Sequence, residues 1–157
     1  MHREGEGAGE IESRRRGGMT RVPAELRRSV RERAGGGCEY CLAPERLSFQ
    51  SHQMEHIVAQ KHGGATDAGN LALSCIGCNQ CKGSDLSSLD PLTGALTPLF
   101  HPRRERWRDH FELRGLFILP KTAVGRVTVR LLQFNAPERI TEREWFAAAG
   151  ELVQPGA

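Results

Sequence analysis

The chain has 157 residues and lacks any long hydrophobic run. Its longest apolar stretch covers only residues 115–120, far short of the ~18 consecutive apolar residues that a membrane-spanning helix needs. Residues 1–6 alternate in charge and lack the apolar run of a secretory signal. These absences argue against a membrane protein, and we expect a cytoplasmic location with no membrane contact.

Net charge is scarce as well, a formal +3 at neutral pH, but it is unevenly spread. Nine Arg and Lys stand against six Asp and Glu in residues 1–34, three against six in residues 35–100, and ten against seven in residues 101–157. An acidic middle between basic arms fits a cation site presented to a phosphate backbone. Arginine clusters are also common on ordinary solvated surfaces, so charge alone leaves both interpretations open. The clusters lie at residues 14–16, 27–28 and 103–106.

Length and composition bound the organisation of the chain. With 38% apolar and 26% charged residues, it fits one compact domain or one small domain with a tail, and not a multidomain machine. Residues 1–20 have almost no large apolar side chain, so we expect a disordered tail. Residues 21–100 contain all five cysteines and form the predicted functional domain, and residues 101–157 form a C-terminal extension packed on or following it.

Local patterns predict a mixture of short helices and strands. Pro23 favours a helix start and the glycines at 35–37 a helix end, which predicts a helix over 23–34. The apolar residues after Thr122 fit both helical spacing and strand alternation, and we favour a helix. The other predicted elements are extended segments at 47–59, 95–100 and 112–119, a strand at 71–73, a short helix running on from the second cysteine group, and a final helix at 137–150.

Five cysteines need an explanation, and their C-x-x-C spacing in a reducing compartment favours a metal over disulfides. Cys38 and Cys41 form one pair, and Cys75, Cys78 and Cys81 follow at intervals of three, so any two of these three would complete a set of four. Four thiolates are the ligands of a closed, structural zinc site. We assign Cys75 and Cys78, because Cys81 already lies in the predicted helix. Buried free thiols or a redox pair are the alternatives.

The two cysteine pairs are separated by 33 residues, more than the ~15–20 of a plain zinc ribbon. Glu55-His56, then Gly63-Gly64, then Asn70-Leu71, then Cys75-x-x-Cys78-Asn79-x-x-Lys82-Gly83 follow in order across and just beyond this insertion. This string closely resembles the HNH endonuclease motif, in its form with Asn at the third position. The resemblance covers about residues 38–85.

The resemblance implies an α+β fold: a small ββα-metal core, treble-clef-like, held by the four-cysteine zinc site and flanked by helices. It also implies metal-dependent hydrolysis of phosphodiester bonds in DNA. A neutral imidazole, with an ordinary pKa of ~6.5, suits the deprotonation of water. The implied roles are His56 as general base, Glu55 and Asn79 as ligands of catalytic Mg²⁺ or Mn²⁺, Asn70 as the residue that ties the loop between the strands, and Lys82 as a transition-state contact to the phosphate.

Some questions stay open at this point. Neighbouring residues on a regular strand face opposite ways, so Glu55 and His56 share a site only if the strand ends or bulges there. Many relatives have Asp where this chain has Glu55. His52 either lines the cleft or packs beside it. Cleavage of both strands by one active site favours a homodimer or two successive events. The rival functions are a non-cleaving, zinc-stabilised nucleic-acid-binding module and a dithiol redox protein.

Overall fold

Short elements joined by tight turns make up the described part of the chain, which is residues 21–152 of a computed structural model. The predicted tail at 1–20 and the arginines at 14–16 lie outside the described residues. The helices are α1 (Ala24–Ala34), α2 (Ile76–Lys82), α3 (Trp107–His110), α4 (Ala123–Leu131) and α5 (Pro137–Ala148). The strands are β1 (Gln53–His56), β2 (Leu71–Ser74), β3 (Ser87–Leu89), β4 (Leu96–Pro98), β5 (Phe111–Arg114) and β6 (Phe117–Pro120).

The helix α1 begins and ends where Pro23 and the glycines at 35–37 predict. Pro23 precedes its first residue, and Gly35 ends it in the left-handed conformation at φ 62°, which glycine adopts without steric cost. One face of α1 is apolar: Val30 is fully buried and packs with Leu71 and Leu73 of β2. The helix therefore covers the hairpin that β1 and β2 form.

The β1–β2 hairpin and α2 make a ββα unit. The two strands are antiparallel, with Gln53 opposite Ser74 and His56 opposite Leu71. β2 is buried along its whole length, and α2 begins directly after it and packs on β1. The predicted strand at 71–73 is confirmed, whereas the predicted extended segment at 47–59 is wrong over most of its length, because a 3₁₀ turn ends at residue 47 and pairing begins only at residue 53.

Residues beyond 100 form two further strands and two long helices. The predicted extended segment at 112–119 is instead a hairpin, because Gly115 turns the chain at φ 60° between β5 and β6. The helical interpretation after Thr122 is confirmed: its hydroxyl caps α4 by accepting from Gly125 N at 3.0 Å. The final helix is confirmed from residue 137 and ends at residue 148.

One buried cluster spans both sides of the predicted boundary at residue 100, joining Tyr40 and Cys78 to Phe111, Val127 and Phe146. Polar contacts cross the boundary as well. Trp107 Nε1 donates to the Tyr40 carbonyl at 2.8 Å, and Arg126 forms two hydrogen bonds to the buried Asp90 carboxylate at 2.8 and 2.9 Å. The mixture of helices and small antiparallel sheets confirms the α+β class. The domain division itself stays a prediction.

None of the helices within residues 21–152 combines the length and the apolar character that a membrane crossing requires.

Gly64 provides a test of the packing around the β1–β2 loop. A Cβ atom there would overlap the carbonyl oxygen of Val58 and lie 2.8 Å from Nδ2 of Asn70. We expect Gly64→Ala to lower the free energy of unfolding by about 2–3 kcal/mol, since the backbone must shift to admit the methyl group. Urea denaturation measures the loss.

Gly69 in the same loop is the matched control. A Cβ there meets only the Asp67 carboxylate, at 3.4 Å, so Gly69→Ala should change the free energy of unfolding by no more than about 0.5 kcal/mol. Equal stabilities of the two variants would contradict the packing described here.

Candidate metal centre and active site

Four sulfur atoms converge where the first cysteine pair meets the start of α2. The ligand atoms of Cys38, Cys41, Cys75 and Cys78 all lie within 4.8 Å of one another, and the sulfurs of Cys41 and Cys75 are 3.6 Å apart. A ZnS₄ tetrahedron with bonds of ~2.3 Å has sulfur–sulfur edges of about 3.8 Å. The donor set and its spacing therefore fit a zinc ion, and these are the four cysteines that the sequence assigned.

Local backbone geometry brings each pair of sulfurs together. The amide of Cys41 donates to Sγ of Cys38 at 3.5 Å, and the amide of Cys78 donates to Sγ of Cys75 at 3.4 Å. Cys75 is also the residue that caps the N-terminus of α2. Each C-x-x-C segment is thus a tight turn whose N–H groups point at sulfur, an arrangement that favours thiolate ligands.

The cysteines differ in burial and in ionisation. Hydrogen bonds from the other three sulfurs lower the pKa of Cys41, whereas burial raises the pKa of Cys38 and of Cys78. Cys81 lies in α2 and is not part of the cluster. Four thiols at one point are also more than a dithiol redox pair needs.

His56 is the last residue of β1 and is half-buried. Its Nε2 lies 2.8 Å from the hydroxyl of Thr66, in the loop between β1 and β2. Burial lowers the pKa of His56 below its ordinary value, so the imidazole is neutral at neutral pH. A neutral, partly exposed imidazole is able to accept a proton from water.

The side chain of Asn70 joins the loop to the end of β1. Its Oδ1 accepts from Val58 N at 2.9 Å, and its Nδ2 donates to the carbonyls of Val58 and Ala65 at 2.9 and 2.8 Å. The backbone adds a bond from Ile57 N to the Asn70 carbonyl at 2.8 Å. The two residues after His56 are therefore fixed to the loop that carries Thr66.

Glu55 and Lys82 form a buried ion pair. The ammonium of Lys82 lies 2.6 Å from a carboxylate oxygen of Glu55 and donates to the Ile57 carbonyl at 2.9 Å. The side chains are only 2% and 4% exposed, for Lys82 and Glu55 respectively, and the hydroxyl of the buried Tyr40 faces the same carboxylate. Burial raises the pKa of Glu55, and the Lys82 ammonium opposes the rise. The Lys82 charge is paired inside the protein, and its contact with a phosphate stays a prediction.

Asn79 lies one helical turn before Lys82, on the same side of α2. Its Nδ2 donates to Oε1 of Gln53, which shares the α2-facing side of β1 with Glu55. His56 points to the opposite face, toward Thr66. The structure thus sets Glu55 and Asn79 along one interface between β1 and α2, and His56 on the other side of the strand.

The family resemblance predicts Glu55 and Asn79 as ligands of a catalytic divalent cation. Such an ion must contact both the protein and the substrate phosphate, yet both carboxylate oxygens of Glu55 are shielded from solvent and one is paired with Lys82. In this arrangement the residues do not fit an ion that reaches a substrate. The Glu55 carboxylate lies inside the protein, 2.6 Å from the Lys82 ammonium.

Several contributors had no clear signal in the sequence. Thr66 is an ordinary loop residue, and Gln53 precedes the recognised dipeptide by two positions, so spacing alone identifies neither. Tyr40 is fully buried and faces the charge of Glu55. His52 is 3% exposed, with Nε2 2.7 Å from the Ala43 carbonyl, and it borders a pocket between α2 and α5 that does not include His56.

Residues 38–85 match the family model of the HNH endonucleases. The family resemblance is confirmed for this segment, which contains the four-cysteine cluster and all the candidate catalytic residues. No curated protein and no solved structure matches the chain. The small α+β fold and this match, which covers residues 38–85, show that this segment is similar to HNH endonuclease domains. Such a domain supports a nuclease-type function, with nucleic acid as substrate and divalent metal in use.

Zinc binding is tested by comparing two cysteines of α2. The parent should bind one zinc ion per chain, and Cys78→Ser should lose the ion together with cooperative unfolding, because structural zinc contributes ~10–16 kcal/mol of binding free energy in small domains. Cys81→Ser should keep both. Metal analysis and thermal unfolding measure the two properties. Zinc loss in the Cys81 variant, or its retention in the Cys78 variant, would refute the assignment.

The buried ion pair predicts a pH-dependent loss of stability in Lys82→Met. Removing the ammonium leaves the Glu55 charge unpaired, which should cost about 3–5 kcal/mol near pH 7. In the folded variant the pKa of Glu55 should lie further above its unfolded value of 4.5. The folded state then binds a proton that the unfolded state releases, so stability falls as pH rises above about 4.5.

Urea unfolding at pH 5 and pH 7 measures this dependence, and the loss should be larger at pH 7. Lys61→Met is the matched control, since Lys61 is exposed and its replacement should cost no more than about 0.5 kcal/mol. A Lys82 variant as stable as the control at both pH values would show that the pair does not form.

Proposed function

We propose that this protein is a metal-dependent HNH endonuclease that hydrolyses phosphodiester bonds in DNA. The observation that carries the proposal is the environment of His56, which lies within the family match as a neutral, half-buried imidazole at the end of a strand. In this proposal His56 is the general base that takes a proton from the attacking water. General-base catalysis of this kind contributes typically 10²–10⁴-fold to a rate.

The residues around His56 have positioning roles in the proposal. Asn70 fixes the backbone of Val58, and Lys82 fixes the carbonyl of Ile57. Both groups act on the two residues that follow His56, so the imidazole has little freedom to leave its orientation. Thr66 holds Nε2 until a water molecule takes its place.

Mg²⁺ or Mn²⁺ belongs to the proposal as a requirement of HNH nucleases, where such an ion stabilises charge on the phosphate oxygens. The Glu55 carboxylate is buried against Lys82 and does not reach such an ion.

DNA is the proposed partner, and exposed arginines on α1 and before α3 would contact its phosphates. Arg27 and Arg28 are exposed on α1, as are Arg104 and Arg106 before α3. Arg33, near the end of α1, donates to the carbonyls of residues 68 and 71 at 2.7 Å each. This contact joins α1 to the loop that carries Thr66, so a backbone held by α1 would lie beside the loop next to His56. Phosphate contacts of this kind position the DNA without reading its sequence.

A second candidate is a zinc-stabilised nucleic-acid-binding module that does not cleave. The buried Glu55–Lys82 pair favours it, because a carboxylate closed off from solvent has no direct part in catalysis. Both candidates require the four-cysteine cluster and DNA binding, and they differ only in cleavage.

Nicking of supercoiled plasmid in Mg²⁺ or Mn²⁺ separates the two candidates. The parent should relax the plasmid and EDTA should stop the reaction. His56→Ala should lower the rate by about 10²-fold or more, with zinc content and DNA affinity unchanged.

His62→Ala is the matched control. His62 lies in the loop between β1 and β2 that carries Thr66, and its Nε2 is 3.2 Å from the Ser84 carbonyl, away from His56. It should retain most of the cleavage rate. A His56 variant that cuts as fast as the parent would refute the base assignment. A parent that binds DNA and never cuts it with either ion would favour the non-cleaving module.

A further inference from the structure

Arg139 reaches the four-cysteine cluster from α5, far outside the segment that matches the family. Its Nη2 lies 3.2 Å from Sγ of Cys78 and 3.7 Å from Sγ of Cys75. A third contact runs from Nη1 to the Leu132 carbonyl at 3.4 Å. The shortest of these contacts is therefore to a sulfur of the cluster.

The surroundings of Arg139 favour its contact with the sulfurs. The side chain is buried, with 8% exposure, and within residues 21–152 no carboxylate forms an ion pair with its guanidinium. A buried charge is costly unless it is paired. Gly77, in the first turn of α2, makes room: a Cβ there would lie 3.0 Å from Nη1.

Charge balance explains what the guanidinium does. Zinc with four thiolates carries a net charge of −2, and the Cys78 sulfur is fully buried. A guanidinium that donates N–H groups to two of the sulfurs offsets part of that charge and orients the ligands. Zinc in turn supplies the anionic partner that the buried Arg139 otherwise lacks.

We propose that Arg139 is a positioning residue of the zinc site, so that zinc binding and the docking of α5 on the HNH domain stabilise each other. The two are thermodynamically linked: whatever α5 adds to zinc affinity, zinc adds to the docking of α5. The inference rests on the zinc site and not on the nuclease activity, so the two proposals fail independently.

Arg143 offers a matched control, because it is a second buried arginine one turn later on α5. It donates to the Leu116 and Phe134 carbonyls and to Asn135, and to none of the sulfurs. Arg143→Met therefore removes a buried guanidinium and its backbone contacts while leaving the cluster intact.

The test is the zinc affinity of the full-length parent, R139M, R139K and R143M, measured by competition with a chromophoric chelator. Loss of the groups that orient metal ligands typically lowers affinity about 10–100-fold, and this range is expected for R139M. R139K keeps the charge but loses the planar fork, so a loss of about 3–10-fold is expected. R143M should lose clearly less affinity than R139K, since it leaves the contacts to the sulfurs unchanged and weakens only the docking of α5.

Cobalt substitution gives a second readout that a general loss of stability does not move. N–H groups that donate to sulfur stabilise its lone pairs, so their loss should shift the sulfur-to-cobalt charge-transfer band of R139K to longer wavelength, with R143M unshifted. If R139M does not fold, the zinc affinity and the charge-transfer band of R139K test the proposal. Parent-like zinc affinity in R139K, or a loss in R143M as large as that in R139K, would overturn the proposal.

Discussion

The convergence of four cysteine sulfurs joins the first cysteine turn to the start of α2, two parts of the chain whose own elements are short. β1 and β2 have four residues each, and an isolated two-stranded hairpin is at best marginally stable in water. The sulfurs fasten residues 38–41 to the start of α2, which packs on β1 and keeps β2 buried beneath α1. Zinc bound by this cluster would supply ~10–16 kcal/mol of binding free energy, as it does in small zinc-finger peptides, in place of the large core that so short a unit cannot build. This junction fixes the start of α2, the helix of Asn79 and Lys82, whereas His56 contacts Thr66 in the loop between β1 and β2.

The alternation of side chains along β1 divides the chemistry of the site. Gln53 and Glu55 face α2, and His56 faces the loop. On the helix side charges and amides are already paired, so that side stabilises the fold. On the loop side the imidazole is neutral and partly exposed. The proposed reaction therefore uses one face of a four-residue strand, and the other face maintains its position.

Sequence spacing predicted the elements that depend on interactions between residues close together in the chain. Neighbouring residues determine the two Cys-x-x-Cys turns, the helix α1 between Pro23 and Gly35, and the short strand before Cys75. The ion pair of Lys82 with Glu55 could not be predicted in this way. The two residues are 27 positions apart, and their pairing depends on side-chain length and on burial in the folded chain. The contact of Arg139 with the cysteine cluster could not be predicted for a similar reason: no motif connects a lone arginine in α5 with cysteines more than 60 residues earlier.

The contacts of Arg139 also bear on the order in which the chain assembles. The bonds from its guanidinium to Cys75 and Cys78 span 64 and 61 residues, and Cys38 stands about a hundred residues ahead of it. Contacts of such separation form late, since the intervening chain must first be closed into a loop. During synthesis the four thiols emerge well before α5, so a zinc ion bound at that stage would precede the contact of Arg139 with the sulfurs.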